Sequence, residues 1–168
     1  ARQAADGLSE FPQVVVYGRS VAEGSLQACD LLYVSAAAAE PLPVWLDALK
    51  PEGRLLFPLE AEGAAGQMLL ISKKPDGSYP ARFLCGVQFV ACSGAQDPRS
   101  ARALNAAFNK GHWSHVKQLY RNDQPDNTAW CIGSGWWLST RSAGEWESGD
   151  IRGKLSGHRL RASDNNSR

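Results

Sequence analysis

Apolar residues fall along the chain in two alternating rhythms. Val14-Val15-Val16-Tyr17 is a continuous β-branched run after Pro12, of the kind found in strands buried on both faces, and Gly18 ends it. Asp30 opens a second such run, Leu31-Leu32-Tyr33-Val34, which passes into the small residues Ser35-Ala36-Ala37-Ala38-Ala39. Small side chains there leave space above the strand's C-terminal end. Leu42, Trp45, Leu46 and Leu49 then recur at i, i+3, i+4 and i+7, which predicts a short amphipathic helix over 41–50, with Pro43 tolerated in its first turn. Arg54-Leu55-Leu56-Phe57-Pro58-Leu59 predicts a third strand. Strand, helix and strand in this order form a βαβ unit, which implies parallel pairing with a right-handed crossover.

The rhythm changes after residue 60. Residues 67–73 and 82–90 are strand-like runs joined by Pro75-Asp76-Gly77-Ser78, strong turn chemistry that predicts an antiparallel hairpin at the edge of the sheet. Asp97-Pro98 reads as an N-cap followed by proline at the first helical position. Ala101, Leu104, Ala107 and Phe108 then line one face until Lys110-Gly111. Residues 116–120 and 128–138 predict further strands, the latter interrupted at Gly133-Ser134-Gly135, with Trp130, Trp136 and Trp137 as packing groups. Residues 1–10 read as the polar end of a helix. From Arg141 onward Gly, Ser, Asp, Asn and Arg dominate without periodicity, too little to offset the entropy of ordering. The expected fold class is α/β with a partial, mostly parallel sheet, in a domain over 1–140 followed by a flexible or foreign tail over 141–168.

Composition narrows the function. With 168 residues, 43% hydrophobic, 21% charged and a net charge of +1, the chain shows no polyanion-binding excess. Arg152, Lys154, Arg159 and Arg161 in the tail are interleaved with acids and lack stacking aromatics, so no nucleic-acid partner is expected. No run approaches the ~20 apolar residues of a membrane span, and the first residues lack a signal-peptide pattern. A cytoplasmic location is expected. Cys29, Cys85, Cys92 and Cys131 form no C-x-x-C pair and read as buried free thiols.

Several residues invite chemistry. His112 and His115 make an H-x-x-H, but with no third ligand in sequence no metal is expected. Asp30 fits a turn residue as readily as an acid or base, whereas Glu40 lies past a strand end, where a substrate would sit. Gly133-Ser134-Gly135 lacks the G-x-S-x-G spacing of a nucleophile turn and fits a bend.

Residues 14–59, taken in order, resemble protein-L-isoaspartate O-methyltransferases. The resembling pieces are Tyr17-Gly18-Arg19-Ser20, Asp30-Leu31-Leu32-Tyr33-Val34-Ser35-Ala36-Ala37-Ala38 and Lys50-Pro51-Glu52-Gly53-Arg54-Leu55-Leu56-Phe57-Pro58. A fainter likeness runs through Pro75-Asp76-Gly77 to Gly86-Val87-Gln88-Phe89-Val90. The resemblance implies the second half of a Rossmann-like methyltransferase sheet that binds S-adenosylmethionine at the C-terminal ends of its parallel strands. It implies protein repair, with isoaspartyl-containing proteins or peptides as substrate. It places Gly18, Arg19, Ser35 and Ala36 on the cofactor rim and assigns no catalytic residue.

Two departures accompany it. No glycine-rich turn of the G-x-G type precedes Val14, and Arg19 stands where the family has an aspartate that accepts from the adenine amino group. A guanidinium only donates. The chain is therefore expected to begin in mid-domain and to be inactive alone. It would then serve as a fragment, as half of a split enzyme completed by a separate N-terminal half, or as a scaffold pairing the 14–17 strand in a homodimer or with another chain.

Overall fold

The computed structural model describes residues 7–8 and 10–143. Seven strands form one sheet in the order β1-β2-β3-β4-β5-β7-β6. They are β1 (Cys29–Tyr33), β2 (Leu49–Leu59), β3 (Gly66–Ser72), β4 (Tyr79–Val87), β5 (Gln118–Arg121), β6 (Ala129–Ile132) and β7 (Trp136–Ser139). Two α-helices accompany them, α1 (Pro43–Asp47) and α2 (Pro98–Lys110), with a 3-10 turn at Trp113–His115. The chain is α/β, but the sheet is not mostly parallel. Among the named strands only β1 and β2 run parallel, and every other neighbouring pair is antiparallel. The β2-β3, β3-β4 and β6-β7 links are short, which permits hairpins and excludes crossovers, whereas β4 and β5 pair antiparallel across a long link that carries α2.

The unit β1-α1-β2 forms as its periodicity predicts. Helix α1 covers fewer residues than 41–50, because Leu49 already pairs with Cys29 as the first residue of β2. Trp45 and Leu46 on its inner face are buried, and Trp45 meets Phe57 edge-to-face at 5.6 Å. Burying each of these large side chains contributes about 1.5–3 kcal/mol. Between the pairs Cys29↔Leu49 and Leu31↔Arg54, β1 contributes only Asp30 while β2 contributes residues 50–53. Those four residues bulge outward and Glu52 takes a φ of 64°. Gly53 is required at their end: a Cβ there would stand 2.7 Å from the Lys50 carbonyl oxygen.

The hairpin of β3 and β4 forms across the Pro75-Asp76-Gly77-Ser78 turn, where the Asp76 carboxylate accepts from Ser78 N–H at 2.9 Å. It is not at the sheet's edge, because Tyr79 and Pro80 pair onward with β5. Helix α2 begins as read: Asp97 Oδ2 accepts from Ser100 N–H at 2.8 Å, Pro98 is the first helical residue, and Gly111 closes it at φ 76°. The 128–138 run divides at Gly133-Ser134-Gly135 into the hairpin β6-β7. Phe83, Phe108, Trp113 and Trp130 lock the helix and the 3-10 turn over the sheet, with ring centroids 5.2–6.1 Å apart.

Two strand predictions need correction. Val14-Val15-Val16-Tyr17 is not a strand; Val15 and Tyr17 are 67% and 62% exposed. A β-branched run satisfies its backbone as a strand only beside another strand, and none lies next to it among the described residues. Leu31-Leu32-Tyr33-Val34 does lie largely in a strand, but one at the sheet's edge, with Leu31 and Tyr33 exposed and Val34 buried. The 1–10 helix end falls mostly outside the described residues, as does the tail from 144 onward, with its Arg152, Lys154, Arg159 and Arg161.

Candidate functional site

In a βαβ unit the place to look for a ligand is beyond the C-terminal ends of the parallel strands. Here that place is built by the chain leaving β1. Ala37, Ala38 and Ala39 are almost completely buried, at 0–1% exposure. Their backbone is bonded on both sides. Ala38 N–H donates to the Pro58 carbonyl at 3.0 Å and its carbonyl accepts from Glu60 N–H at 2.8 Å. On the outer side Ala37 N–H donates to the Val90 carbonyl at 2.8 Å, and its carbonyl accepts from Cys92 N–H at 2.6 Å. The two flanking segments pair with this stretch as neighbouring strands do, while its small side chains are buried in the core. The space it was expected to leave is filled by backbone.

Gln96 ties the layer together. Its Nε2 donates to the Ala37 carbonyl at 2.8 Å and the Glu60 carbonyl at 3.3 Å, while its Oε1 accepts from Glu62 N–H at 3.0 Å. Glu60, 2% exposed, accepts from Phe89 N–H at 3.1 Å. Burial holds its carboxyl above the usual range, and the Phe89 hydrogen bond partly offsets this.

Glu40, next along the chain, meets a second polar group. Ser100 Oγ donates to Glu40 Oε2 at 3.2 Å and accepts from Ser134 N–H at 3.2 Å. Ser100 is fully buried. Burial raises the Glu40 carboxyl and the Ser100 hydrogen bond lowers it; Asp97 raises it further and the Trp136 indole lowers it. Trp136 Nε1 has no partner of hydrogen-bond geometry, yet lies close enough to favour the carboxylate. The cluster joins the β1 exit, the start of α2 and the β6-β7 turn, and holds no imidazole or thiol that could make Ser100 a nucleophile.

The predicted rim residues stand apart from this layer. Gly18 and Arg19 are exposed, and the Arg19 guanidinium lies 5.1 Å from the centroid of the Tyr17 ring. Ser35 is exposed and Ala36 half-buried. No described hydrogen bond, ion pair or ring contact links Gly18 or Arg19 to Ser35 or Ala36. A cavity of about 490 Å³ lies elsewhere, lined by Gly24, Ser25, Leu26, Ala28, Val44, Asp47 and Ala48. Arg19 supplies no acceptor for an adenine amino group, and its guanidinium lies over its own Tyr17 ring.

Other candidates resolve as structural. Asp30 pairs with Lys50 at 2.9 Å in solvent and pins the 50–53 bulge. His112 and His115 have ring centroids 5.7 Å apart, and no group of three metal-ligating side chains occurs among the described residues. Cys92 and Cys131 are buried, as expected, but Cys29 is half-buried and Cys85 exposed; all four are free thiols. Burial pushes the Cys131 thiol up to about 12, which makes it inert. No helix among the described residues is long and apolar enough to cross a membrane. Sequence reasoning missed Glu60, Gln96 and Ser100. The only signal for Glu60 was a carboxylate directly after a strand, and the other two act through partners 34–60 residues away in sequence.

Comparison with known proteins finds similarity over part of the chain. No family model matches the chain. It is 38% identical over 65 residues to protein-L-isoaspartate O-methyltransferase 1 of Nitrosospira multiformis and 35% identical over 65 residues to that of Cupriavidus necator, each match covering 39% of this chain. The matched part spans 28% and 25% of those relatives' own length. A Plasmodium falciparum crystal structure described as a protein-L-isoaspartate O-methyltransferase, in complex with S-adenosyl-L-homocysteine, aligns with 55% of this chain and 44% of its own, at 21% identity and a TM-score of 0.45. The resemblance to the protein-L-isoaspartate O-methyltransferase family is thus shown, on a partial match.

Proposed function

We propose that this chain is part of an S-adenosylmethionine-dependent protein carboxyl O-methyltransferase of the isoaspartyl-repair type, working in the cytoplasm, and that alone it does not transfer methyl groups. The observation that carries the reading is the sequence match to two bacterial enzymes of that name. The β1-α1-β2 unit supports it, because in open α/β sheets ligands bind beyond the C-terminal ends of the parallel strands. The donor-only Arg19 supports the second half of the proposal. Methyl transfer to a carboxylate depends on in-line positioning against the sulfonium, and a chain that does not position the donor loses most of the rate.

The test is complementation. The chain is assayed for methyl transfer to an isoaspartyl peptide, alone and mixed with the part of the Nitrosospira relative that lies outside the matched 65 residues. The expected result is no transfer alone and measurable transfer in the mixture, absent with the aspartyl twin of the peptide. Transfer by the chain alone would refute its inactivity, and an inert mixture would count against the enzyme reading.

A scaffold role is the second reading, favoured by the open edge of β1. It makes no use of a methyl donor.

A further inference from the structure

The chain that leaves β4 crosses the end of the sheet. β4 runs parallel to β2, two places away in the strand order, so both end on the same side. Ala91 nevertheless bridges to Ala37 on the side of the β1 exit that faces away from β2, because Ala38 already bonds inward to Pro58 and Glu60. Residues 88–90 therefore pass over the C-terminal ends of β2 and β1. Three hydrogen bonds hold this crossing to the layer beneath. Val90 carbonyl and Cys92 N–H bond to the backbone of Ala37, at 2.8 and 2.6 Å, and Phe89 N–H donates to the Glu60 carboxylate at 3.1 Å. Glu60 itself is fixed from other sides. Its N–H donates to the Ala38 carbonyl, its carbonyl accepts from Gln96 Nε2, and Gly66 of β3 lies so close that a Cβ there would stand 2.5 Å from the Glu60 Cβ.

We propose that residues 88–92 are a pH-operated strap over these strand ends, shut while Glu60 is protonated and loosened when Glu60 ionises and takes up water. A buried carboxylate is costly unless a cation or several donors share its charge. Glu60, 2% exposed, has the Phe89 N–H and no cation. Of the segments against it, the β1 exit offers Ala37 and Ala38, β3 offers Gly66, and the strap offers only the buried Cys92 thiol. The chain after the strap offers Gln96 and then Asp97, which caps α2, and the acid two residues on, Glu62, is exposed. Burial holds the covered Glu60 carboxyl above the usual range, and the Phe89 N–H offsets only part of this. Uncovered, it returns to the ordinary range, so ionisation favours the loosened state. The strap is firmest below the ordinary carboxylate range and weakens as pH rises through the value that Glu60 has when covered. Backbone bonds fix Glu60 on its other sides, so the strap is the part of its cover that can yield. Loosening it opens the place beyond β1 and β2 where ligands of open α/β sheets sit. The inference rests on this contact alone and stands whether or not the chain transfers methyl groups.

The test is amide hydrogen exchange of the full chain, followed by NMR across pH and corrected for the intrinsic exchange rate, beside Glu60→Gln. The Cys92 amide reports on the strap without touching Glu60, and the amides of Leu55 and Leu69 in the core report on the sheet. The expected result is that protection of Phe89 and Cys92 falls several-fold from acid to neutral pH while that of Leu55 and Leu69 does not fall with it. In Glu60→Gln the protection of Cys92 stays high and flat. A second reading needs no variant: the Glu60 carboxyl carbon resonance of the wild-type chain gives the midpoint of its titration, and Cys92 protection should fall at the same pH. Cys92 protection that does not change with pH overturns the proposal. So does a pH dependence that persists in Glu60→Gln, or one whose midpoint differs from that of the Glu60 carboxyl.

Discussion

The two ends of the sheet differ in how completely they are covered. From β4 to β6 the sheet is antiparallel and closed by its own helix: Phe83, Phe108, Trp113 and Trp130 interlock, and Leu104 and Ala107 of α2 are buried. At the β1 end the pairing is parallel, no strand lies on the outer side of β1 among the described residues, and Leu31, Tyr33, Val14, Val15 and Tyr17 are exposed. Antiparallel hairpins bring their own neighbours within a few residues, so that half completes itself locally. Parallel strands depend on distant neighbours, and a parallel strand without one leaves apolar side chains in water.

That contrast is sharpened by substitution. Phe83→Ala removes the centre of the aromatic cluster and should cost about 3–5 kcal/mol, read by denaturant unfolding. Glu60→Gln should have a smaller effect of opposite sign. The raised carboxyl of Glu60 contributes stability that is full below the ordinary carboxylate range and is lost as pH rises through its folded value. The glutamine variant should therefore be the more stable at neutral pH, and its advantage should vanish on acidification, in melting curves taken across pH. Glu52→Gly should stabilise by about 1 kcal/mol, because it relieves a left-handed backbone. The Lys74 ion pair it gives up is exposed and contributes little. Leu31→Ala should change monomer unfolding by less than about 0.5 kcal/mol, as befits an exposed edge position. A cost as large as that of Phe83→Ala would show that the edge is covered and the contrast wrong.

What the sequence made legible follows the same division. Asp97, Pro98 and Gly111 bound α2 through interactions within three residues, and the Pro75-Asp76-Gly77-Ser78 turn determines its own hairpin, so both could be read directly. Lys50-Pro51-Glu52-Gly53 was legible only as a resembling piece; the bulge it forms and the need for Gly53 at a close backbone approach come from the structure. The 14–17 run misleads because β-branched composition reports suitability for a sheet and not the presence of a neighbour. The strands beyond β4 were legible as runs, but their attachment to β4 was not, for a related reason: β5 joins β4 through residues about forty apart in sequence. In the candidate site, Glu40 was legible from its place after a strand, whereas its partner Ser100 comes from another element 60 residues away. Of the rim, Gly18, Arg19, Ser35 and Ala36 come from family resemblance alone.

Whether this chain, proposed as part of a methyltransferase, holds the methyl donor alone is decided by calorimetric titration of S-adenosylhomocysteine into the purified full chain. The account predicts no binding heat even at millimolar ligand. Saturable micromolar binding would contradict it, and would mean that the residues described here, or a second copy of them, complete a donor site.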